Sequence, residues 1–588
     1  MDTSESTEQK QSVQGRRYQT LEFAYARSGD QDAGRVARHP IIIVGAGPVG
    51  LSLAIDLAQK GQKVVLLDND FKLSTGSRAI CFAQRTLEVF DRLGIGEEVA
   101  AKGVSWSIGK VFFKDRLTYQ FDLLPEGGSK HPAFFNIQQF YVEGFLVDQA
   151  LKDPLIEIRW MNKVVGVQAG GHGPAIVEIG TPEGPYQCQA DYLIACDGSR
   201  SSVRELMGKE SKGRVFQDRF LIADVTMSAD FPTERWFWFD PPFHPNQSVL
   251  LHKQPDGQWR IDFQLGWDAD PDEERKPDNI RPRIQALLGK DIEFQIAWAS
   301  VYTFACLRMD AFREGRVFFA GDSAHGVSPF GARGANSGVQ DAENLAWKLD
   351  LVLRGLCPPV LLQSYCAERE AAADENILYS TRATDFITPK SEMSRVFRDT
   401  TLELAQDFPF ARRLVNSGRL STASHYSRST LNWATQEALF HGGIEPGSPA
   451  LNGPIRRFSQ RGFIDAWLFD HCKHGFIVLL FLSSKVHSIQ RTDLSHKVSS
   501  EITHLGSKGW PIHLVEVIIE NLDEADRQHI DNFGSSNVDQ KDVLRQKYQA
   551  SSGTVYLLRP DQHVLARWKM YSDNGLTSVF QKLRELNE

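Results

Sequence analysis

The chain has 588 residues, of which 41% are hydrophobic and 24% charged, and it carries a formal net charge of -8. A length this great exceeds what one hydrophobic core organises, so two to four domains are expected, and the mild acidity argues against a nucleic-acid binder, which presents a basic face. No run approaches the roughly 20 apolar residues of a membrane span, and residues 1–40 lack a signal peptide's apolar core, so they read as a flexible extension on a cytoplasmic protein.

Residues 41–70, IIIVGAGPVGLSLAIDLAQKGQKVVLLDND, set the frame. Four apolar residues predict a buried strand, Gly45, Gly47 and Gly50 follow at once, and helical apolar spacing comes next. The first glycine permits a tight turn, the second lets a pyrophosphate approach the backbone, and the third lets helix and strand pack closely, with helix N-terminal amides facing the phosphates. A second apolar run ends in Asp68, whose carboxylate can accept hydrogen bonds from a ribose diol.

Residues 74–90 lead from a polar loop into a helix. Arg78 there either reaches a cofactor from the side opposite the glycine turn or is a solvated helix-start arginine. Residues 134–150 read as a strand end and an amphipathic helix, with Gln138 placed to bond a cofactor or to cap the helix. Residues 156–195 alternate as strands, and Gly170, Gly171 and Gly173 among them read as a hairpin turn rather than a second nucleotide loop. The last strand ends in Asp197 and Gly198, where an acid can accept ribose hydroxyls, although Asp-Gly is also a common turn.

From 212 to 300 the runs RWFWFD, SVLLHKQ and WRIDFQLGW predict an antiparallel sheet with one covered face, an insertion that covers a substrate. The aromatics around Trp236, Phe239 and Trp259 are expected to supply that cover, with the charged stretch 268–283 on the surface. Residues 317–320 then form a strand ending in Gly321 and Asp322, before a Gly/Ser/Pro loop and a long helix opened by Gly338. Amides at Gly334 to Asn336 would face an anion at that helix start, and a reduced flavin is such an anion. Residues 361–440 are mainly helical, and from 452 onward strands and a terminal helix predict a separate α/β domain. Seven scattered cysteines without a CxxC pair predict no disulfide, and His471, Cys472 and His474 lack the second ligand cluster of a metal site, so no metal is expected.

Taken together, GAGPVG with Asp68, the Asp197-Gly198 turn and the GDSAH block leading into a helix resemble the single-component FAD aromatic hydroxylases, the p-hydroxybenzoate and phenol hydroxylase family. The likeness is nearest to its 3-(3-hydroxyphenyl)propionate hydroxylase branch, and the C-terminal part resembles the thioredoxin-like domain of that branch. With only Cys472 in that domain, thiol redox chemistry is not expected there. The resemblance implies an α/β fold with a Rossmann-like FAD domain at 41–211 and 301–390 and an inserted antiparallel substrate sheet at 212–300. It also implies a helical connection at 391–451 and a thioredoxin-like domain at 452–588.

The resemblance further implies that Gly45, Gly47, Pro48, Gly50 and Asp68 hold the FAD adenosine half. Asp197 and Gly198 would serve FAD and NAD(P)H, and Gly321 and Asp322 the ribityl chain. Pro329, Gly331, Gly334, Ala335 and Asn336 would line the flavin ring, while Arg78 and Gln138 match cofactor-side residues of the family. The activity implied is NAD(P)H- and O2-consuming hydroxylation of a small phenolic substrate, a monocyclic aromatic acid first, through a flavin C4a-hydroperoxide. Epoxidation or oxidative decarboxylation of a polyketide- or quinone-like substrate is the alternative. NADH against NADPH stays open, as does a homodimer.

The family's substrate-domain strand often reads Arg-x-Tyr-x-Gln; here it is Arg260, Asp262 and Gln264, with an aspartate in place of tyrosine. Asp262 and Arg260 share a strand face. They either orient and deprotonate the substrate hydroxyl or form a structural ion pair. Ile80 stands where phenol hydroxylase has an acid, which argues against simple phenol.

Overall fold

Residues 41–44 become the centre of an eight-stranded sheet in the computed structural model of the protein. The structure describes residues 18–587, apart from 75–78, 124–126, 170–172, 228, 230, 416–420, 434–435, 460–461, 473, 484–487 and 520–536. The chain divides into two units. One comprises residues 1–125, 131–342 and 373–422, the other 126–130, 343–372 and 423–588.

In the first unit the strand Ala37–Val44 pairs in parallel with Val64–Leu67 on one side and Tyr186–Ala195 on the other, and Val317–Phe319 pairs in parallel with Tyr186–Ala195. Strands buried on both faces read as unbroken apolar runs, which is why Ile41, Ile42, Ile43 and Val44 carry no alternation. Strands Lys163–Gln168 and Ala175–Gly180 pair antiparallel, flanking the glycine cluster, of which Gly170 and Gly171 lie outside the described residues.

The second sheet of this unit has eight strands: His325–Gly326, Phe294–Met309, Ser211–Met227, Gln258–Leu265, Ser248–Lys253, Arg235–Phe239, Ile108–Phe113 and Arg116–Asp122, in that order. The last two were counted with the nucleotide-binding part in the sequence; Ile108–Phe113 instead extends this sheet by pairing in parallel with Arg235–Phe239. The stretch 268–283 lies on the surface as expected, except that Ile280 is buried. Helix Pro277–Leu288 covers one sheet face through Ile280, Ile284 and Leu288, residues whose i, i+4 spacing lies hidden among charges.

Two further expectations change. The helix Gln139–Ala150 is not amphipathic, since every residue from Gln139 to Val147 is buried. Within the N-terminal stretch read as flexible, Tyr18 is 1% exposed. Its ring meets Tyr141 and Phe145 edge-on, and its hydroxyl donates to Asp148 Oδ2 at 2.6 Å.

The second unit holds a seven-stranded mixed sheet in which Phe476–Leu482 is an inner strand, all seven residues of which are buried. Phe476, Val478 and Leu480 join Trp347, Leu351 and the helix Gly575–Arg584 in one core; Ile477, Leu479 and Phe481 join Tyr548 and Tyr556 in another. Beneath the first core lies a buried charge network: Glu368 accepts from Arg559 Nη1 at 2.7 Å and from Lys348 at 2.8 Å. Among the described residues no helix is long and apolar enough to cross a membrane.

Candidate active site

Three adjacent parallel strands of the first unit, Ala37–Val44, Tyr186–Ala195 and Val317–Phe319, run out together into Gly45, Asp197 and Gly321. Gly45 has φ +104°, and a Cβ there would run into the Cys196 carbonyl; a Cβ on Gly50 would run into the Gly45 carbonyl. Only glycine lets these backbones meet. Gly47 caps the helix Pro48–Gln59, with Pro48 at its first position, where a missing N–H costs nothing. The side chain of Val49, in this first helix, packs on Gly321 and Gly338 of the third motif.

Asp68 accepts from Ala46 N at 2.6 Å and Asp70 N at 2.8 Å. Burial pushes its carboxyl above the usual range against the pull of those amides. Each of its oxygens keeps a second lone pair for a ligand hydroxyl. Asp197 accepts through Oδ2 from Ser202 Oγ and Val203 N, both at 3.1 Å, while its Oδ1 is buried without a hydrogen-bond partner among the described residues. Gly321 donates its N–H to Asp341 Oδ2 at 2.8 Å, and His325 Nε2 lies 2.7 Å from the same oxygen, so a wholly buried pair holds this turn from beneath.

The helix opens at Gly334 rather than Gly338, spanning Gly334–Leu353. Asp322 and Pro329 are exposed, with Gly331, Gly334 and Ala335 half-buried. The side chain of Asn336 is spent inside the protein: Oδ1 accepts from Ala83 N and Thr86 Oγ1, and Nδ2 donates to the Cys81 and Ala332 carbonyls. That fills an amide's capacity, so toward a flavin Asn336 offers only backbone. Arg78 lies outside the described residues. Its flanks are pinned by helix Gln139–Ala150, Ser74 N and Oγ to Glu143 and Ala79 N to Gln139 Oε1. Gln138 does not cap that helix with its side chain; Nε2 donates to Gln258 Oε1 at 3.0 Å and Oε1 is buried without a partner among the described residues.

On the second sheet, side chains alternate between faces. Trp236, Trp238 and Trp259 belong to the face under helix Pro277–Leu288, so that part of the expected aromatic cover turns away from the candidate site, while Phe239 lies with Phe237 on the opposite face. The opposite face carries Arg235, His252, Arg260 and Asp224 in register across four strands. Arg260 pairs with Asp224 in a bidentate, buried contact, Nε to Oδ1 at 2.8 Å, a partner that neither reading of Arg260 and Asp262 foresees. Burial opposes the charge on Arg260, but Asp224 outweighs it and holds the guanidinium above its ordinary value. Asp262 lies 3.5 Å from His252 Nε2. Burial raises its carboxyl, yet His252, Arg260 and Arg235 outweigh that and hold it below the usual carboxylate range.

Sequence reasoning passed over Arg235 and His252, although Arg235 shares its strand face with Phe237 and Phe239, and His252 with Leu250 and Ser248, a period-two signal visible in RWFWF and SVLLH. It also passed over Arg333, buried beside the opening of the long helix, where burial lowers its guanidinium to about 10 and its plane lies over Tyr379.

This polar row approaches the segment beside the start of the long helix. Arg235 Nη1 lies 3.8 Å from Cys81 Sγ, in the segment that Asn336 staples to the start of the long helix. A glycine cradle against backbone, a helix start beside the turn that bears Asp322, and an unpaired buried Asp197 oxygen together fit an FAD.

Comparison with known proteins agrees with that fit. The family described as FAD binding domain matches residues 38–379. The chain is 28% identical over 578 residues to the 6-methylpretetramide 4-monooxygenase of Streptomyces rimosus, covering 93% of this chain and 94% of that one. It is 27% identical to the 3-(3-hydroxy-phenyl)propionate/3-hydroxycinnamic acid hydroxylase of Mycolicibacterium smegmatis, over 70% of each. The flavin-dependent monooxygenase PieE, solved with FAD and substrate, superposes with a TM-score of 0.74 at 20% identity, covering 93% of this chain and 99% of its own. The chain therefore belongs to the FAD binding domain family, with a mixed α/β fold of several sheets. It is an FAD-dependent aromatic monooxygenase.

Proposed function

We propose that the chain hydroxylates a phenolic ring, consuming NAD(P)H and O2, with the substrate lying between the start of the long helix and the polar face of the second sheet. The observation that supports this most is the approach of Arg235 to Cys81, which brings that face to the segment fastened by Asn336.

In this reading Gly45, Gly47, Pro48, Gly50 and Asp68 hold the adenosine half of FAD, Asp197 and Gly198 its centre, and Gly321 and Asp322 the ribityl chain. Pro329, Gly331, Gly334, Ala335 and the backbone of Asn336 lie along the ring, with Gln138 and Arg78 on the cofactor side. Bound FAD, reduced by NAD(P)H, supplies activated oxygen. The chain's own tasks are to exclude water and to draw the proton of the substrate hydroxyl toward a base, so that the ring becomes nucleophilic. Asp262 is the acid placed for that, and Arg260 positions the strand through Asp224.

The substrate proposed first is a monocyclic aromatic acid, from the likeness of the Arg260, Asp262 and Gln264 strand to the arylpropionate hydroxylases. A polyketide-like substrate is the second reading, favoured by the 93% extent of the match to the 6-methylpretetramide enzyme. Residues 452–588 act in packing or dimerisation as a thioredoxin-like domain without a thiol pair, and the protein works in the cytoplasm.

A panel of monocyclic and polycyclic phenols, assayed for stimulated NAD(P)H oxidation with isotopically labelled O2, tests the proposal. One labelled oxygen atom in a hydroxylated product is expected. NAD(P)H oxidation that no phenol stimulates, with no labelled product, overturns it.

A further inference from the structure

Burying a guanidinium without an anion is costly, and burying an imidazole and a carboxamide without hydrogen bonds adds to the cost. The inner face of the second sheet does all three at once. Arg235 is 4% exposed, His252 1% and Gln254 1%. Among the described residues Arg235 Nε, both ring nitrogens of His252, and both amide atoms of Gln254 lack a hydrogen-bond partner. Arg235 and His252 are directly opposite on neighbouring strands, and Gln254 comes two residues after His252, just beyond the strand's last residue, Lys253.

The surroundings do not answer this demand. Arg260 is matched by Asp224, and Asp262 stands nearer His252, at 3.5 Å. Among the described residues Arg235 meets the Cys81 sulfur at 3.8 Å and the faces of Trp106 and Phe237, 5.6 and 5.0 Å from its guanidinium carbon. Those rings orient the cation and strip it of water, which strengthens any anion it meets.

We propose that Arg235, His252 and Gln254 form an anion subsite that grips an ionised oxygen of the aromatic substrate, either a carboxylate or a phenolate. The proposal rests on the hydroxylase reading above for the identity of the ligand, and on the unpartnered polar atoms for the subsite itself. Arg235 supplies a fork of N–H donors suited to two oxygens, the neutral imidazole of His252 supplies one donor, and the amide of Gln254 supplies two. The groups facing His252 are Arg235 and Arg260 on one side and Asp262 on the other. A bound anion therefore adds negative charge beside the imidazole and makes His252 easier to protonate.

The test is binding to the FAD-loaded protein, read from the perturbation of flavin absorbance. The probes are 3-(3-hydroxyphenyl)propionate, its primary amide, and a polyhydroxylated anthraquinone whose phenol ionises near neutral pH. Wild type is compared with Arg235→Met, Arg235→Lys and His252→Gln, each checked for FAD content. Weakening of the acid by on the order of ten- to a hundred-fold in Arg235→Met, with the amide changed less than threefold and partial recovery in Arg235→Lys, supports a carboxylate subsite. Weakening of the anthraquinone only above its phenol pKa supports a phenolate subsite. Equal affinity of wild type and all three variants for every probe, with FAD still bound, overturns the subsite, as does failure of wild type to bind any of the anions. Arg235-dependent binding without any hydroxylated product supports the subsite and overturns the hydroxylase reading instead.

Discussion

Arg260 gives its guanidinium to Asp224, on the neighbouring strand, through Nε to Oδ1 at 2.8 Å and Nη2 to Oδ2 at 3.1 Å, with both side chains at most 5% exposed. The arginine that the sequence places beside Asp262 is thus neutralised from another strand, and Asp262 is left facing His252. Removing one partner of a buried pair strands the other charge, so Asp224→Asn should lower stability by about 3–5 kcal/mol. Urea unfolding measures it; a loss under about 1 kcal/mol would mean the pair is solvated.

Asp262→Ala should lower the rate of coupled hydroxylation by on the order of a hundredfold while flavin content stays unchanged, since a positioned base contributes about that much. Steady-state turnover together with the flavin-to-protein absorbance ratio checks this. Unchanged turnover would remove Asp262 from the chemistry.

Burial, aided by Arg235, lowers His252 from an ordinary 6.5 to about 4. Between those values the unfolded chain binds a proton at this position that the folded chain refuses, so stability falls as pH drops from about 6.5 to 4. His252→Gln should flatten this part of the stability profile. Urea midpoints at pH 4.5, 5.5 and 7 read the difference, and parallel profiles for the two proteins would rule it out.

Asp341 holds the turn that carries Asp322 by accepting the Gly321 N–H at 2.8 Å. Asp341→Ala should weaken FAD retention roughly tenfold or more, because a buried N–H left without its acceptor costs about 1–3 kcal/mol. Flavin released on dilution, followed by fluorescence, gives the number.

In the second unit, Glu368 receives Arg559 and Lys348, with all three side chains at most 1% exposed. Burial drives the Lys348 ammonium down to about 8 even with this carboxylate beside it. Glu368→Gln should cost about 3–5 kcal/mol in the unfolding of this unit. Differential scanning calorimetry separates it from the first unit.

What could be read in the chain was local. Gly45 and Gly50 are legible because a carbonyl occupies the place of their Cβ, and Phe476–Leu482 because a strand buried on both faces has no alternation. What could not be read was non-local. Aromatic content does not say which sheet face Trp259 takes, and the choice of Asp224 for Arg260 depends on a register between distant strands. Ile80 gives no cue to its neighbourhood either, since Trp106, Phe134 and Ala332 reach it from distant parts of the chain.

The most direct measurement is the flavin content of the purified, full-length chain. If the turns at Gly45, Asp197 and Gly321 grip one nucleotide, the protein carries about one non-covalent FAD per chain, and Gly50→Ala, whose methyl would strike the Gly45 carbonyl, loses it. A wild-type chain that stays colourless and takes up no added FAD would refute the account.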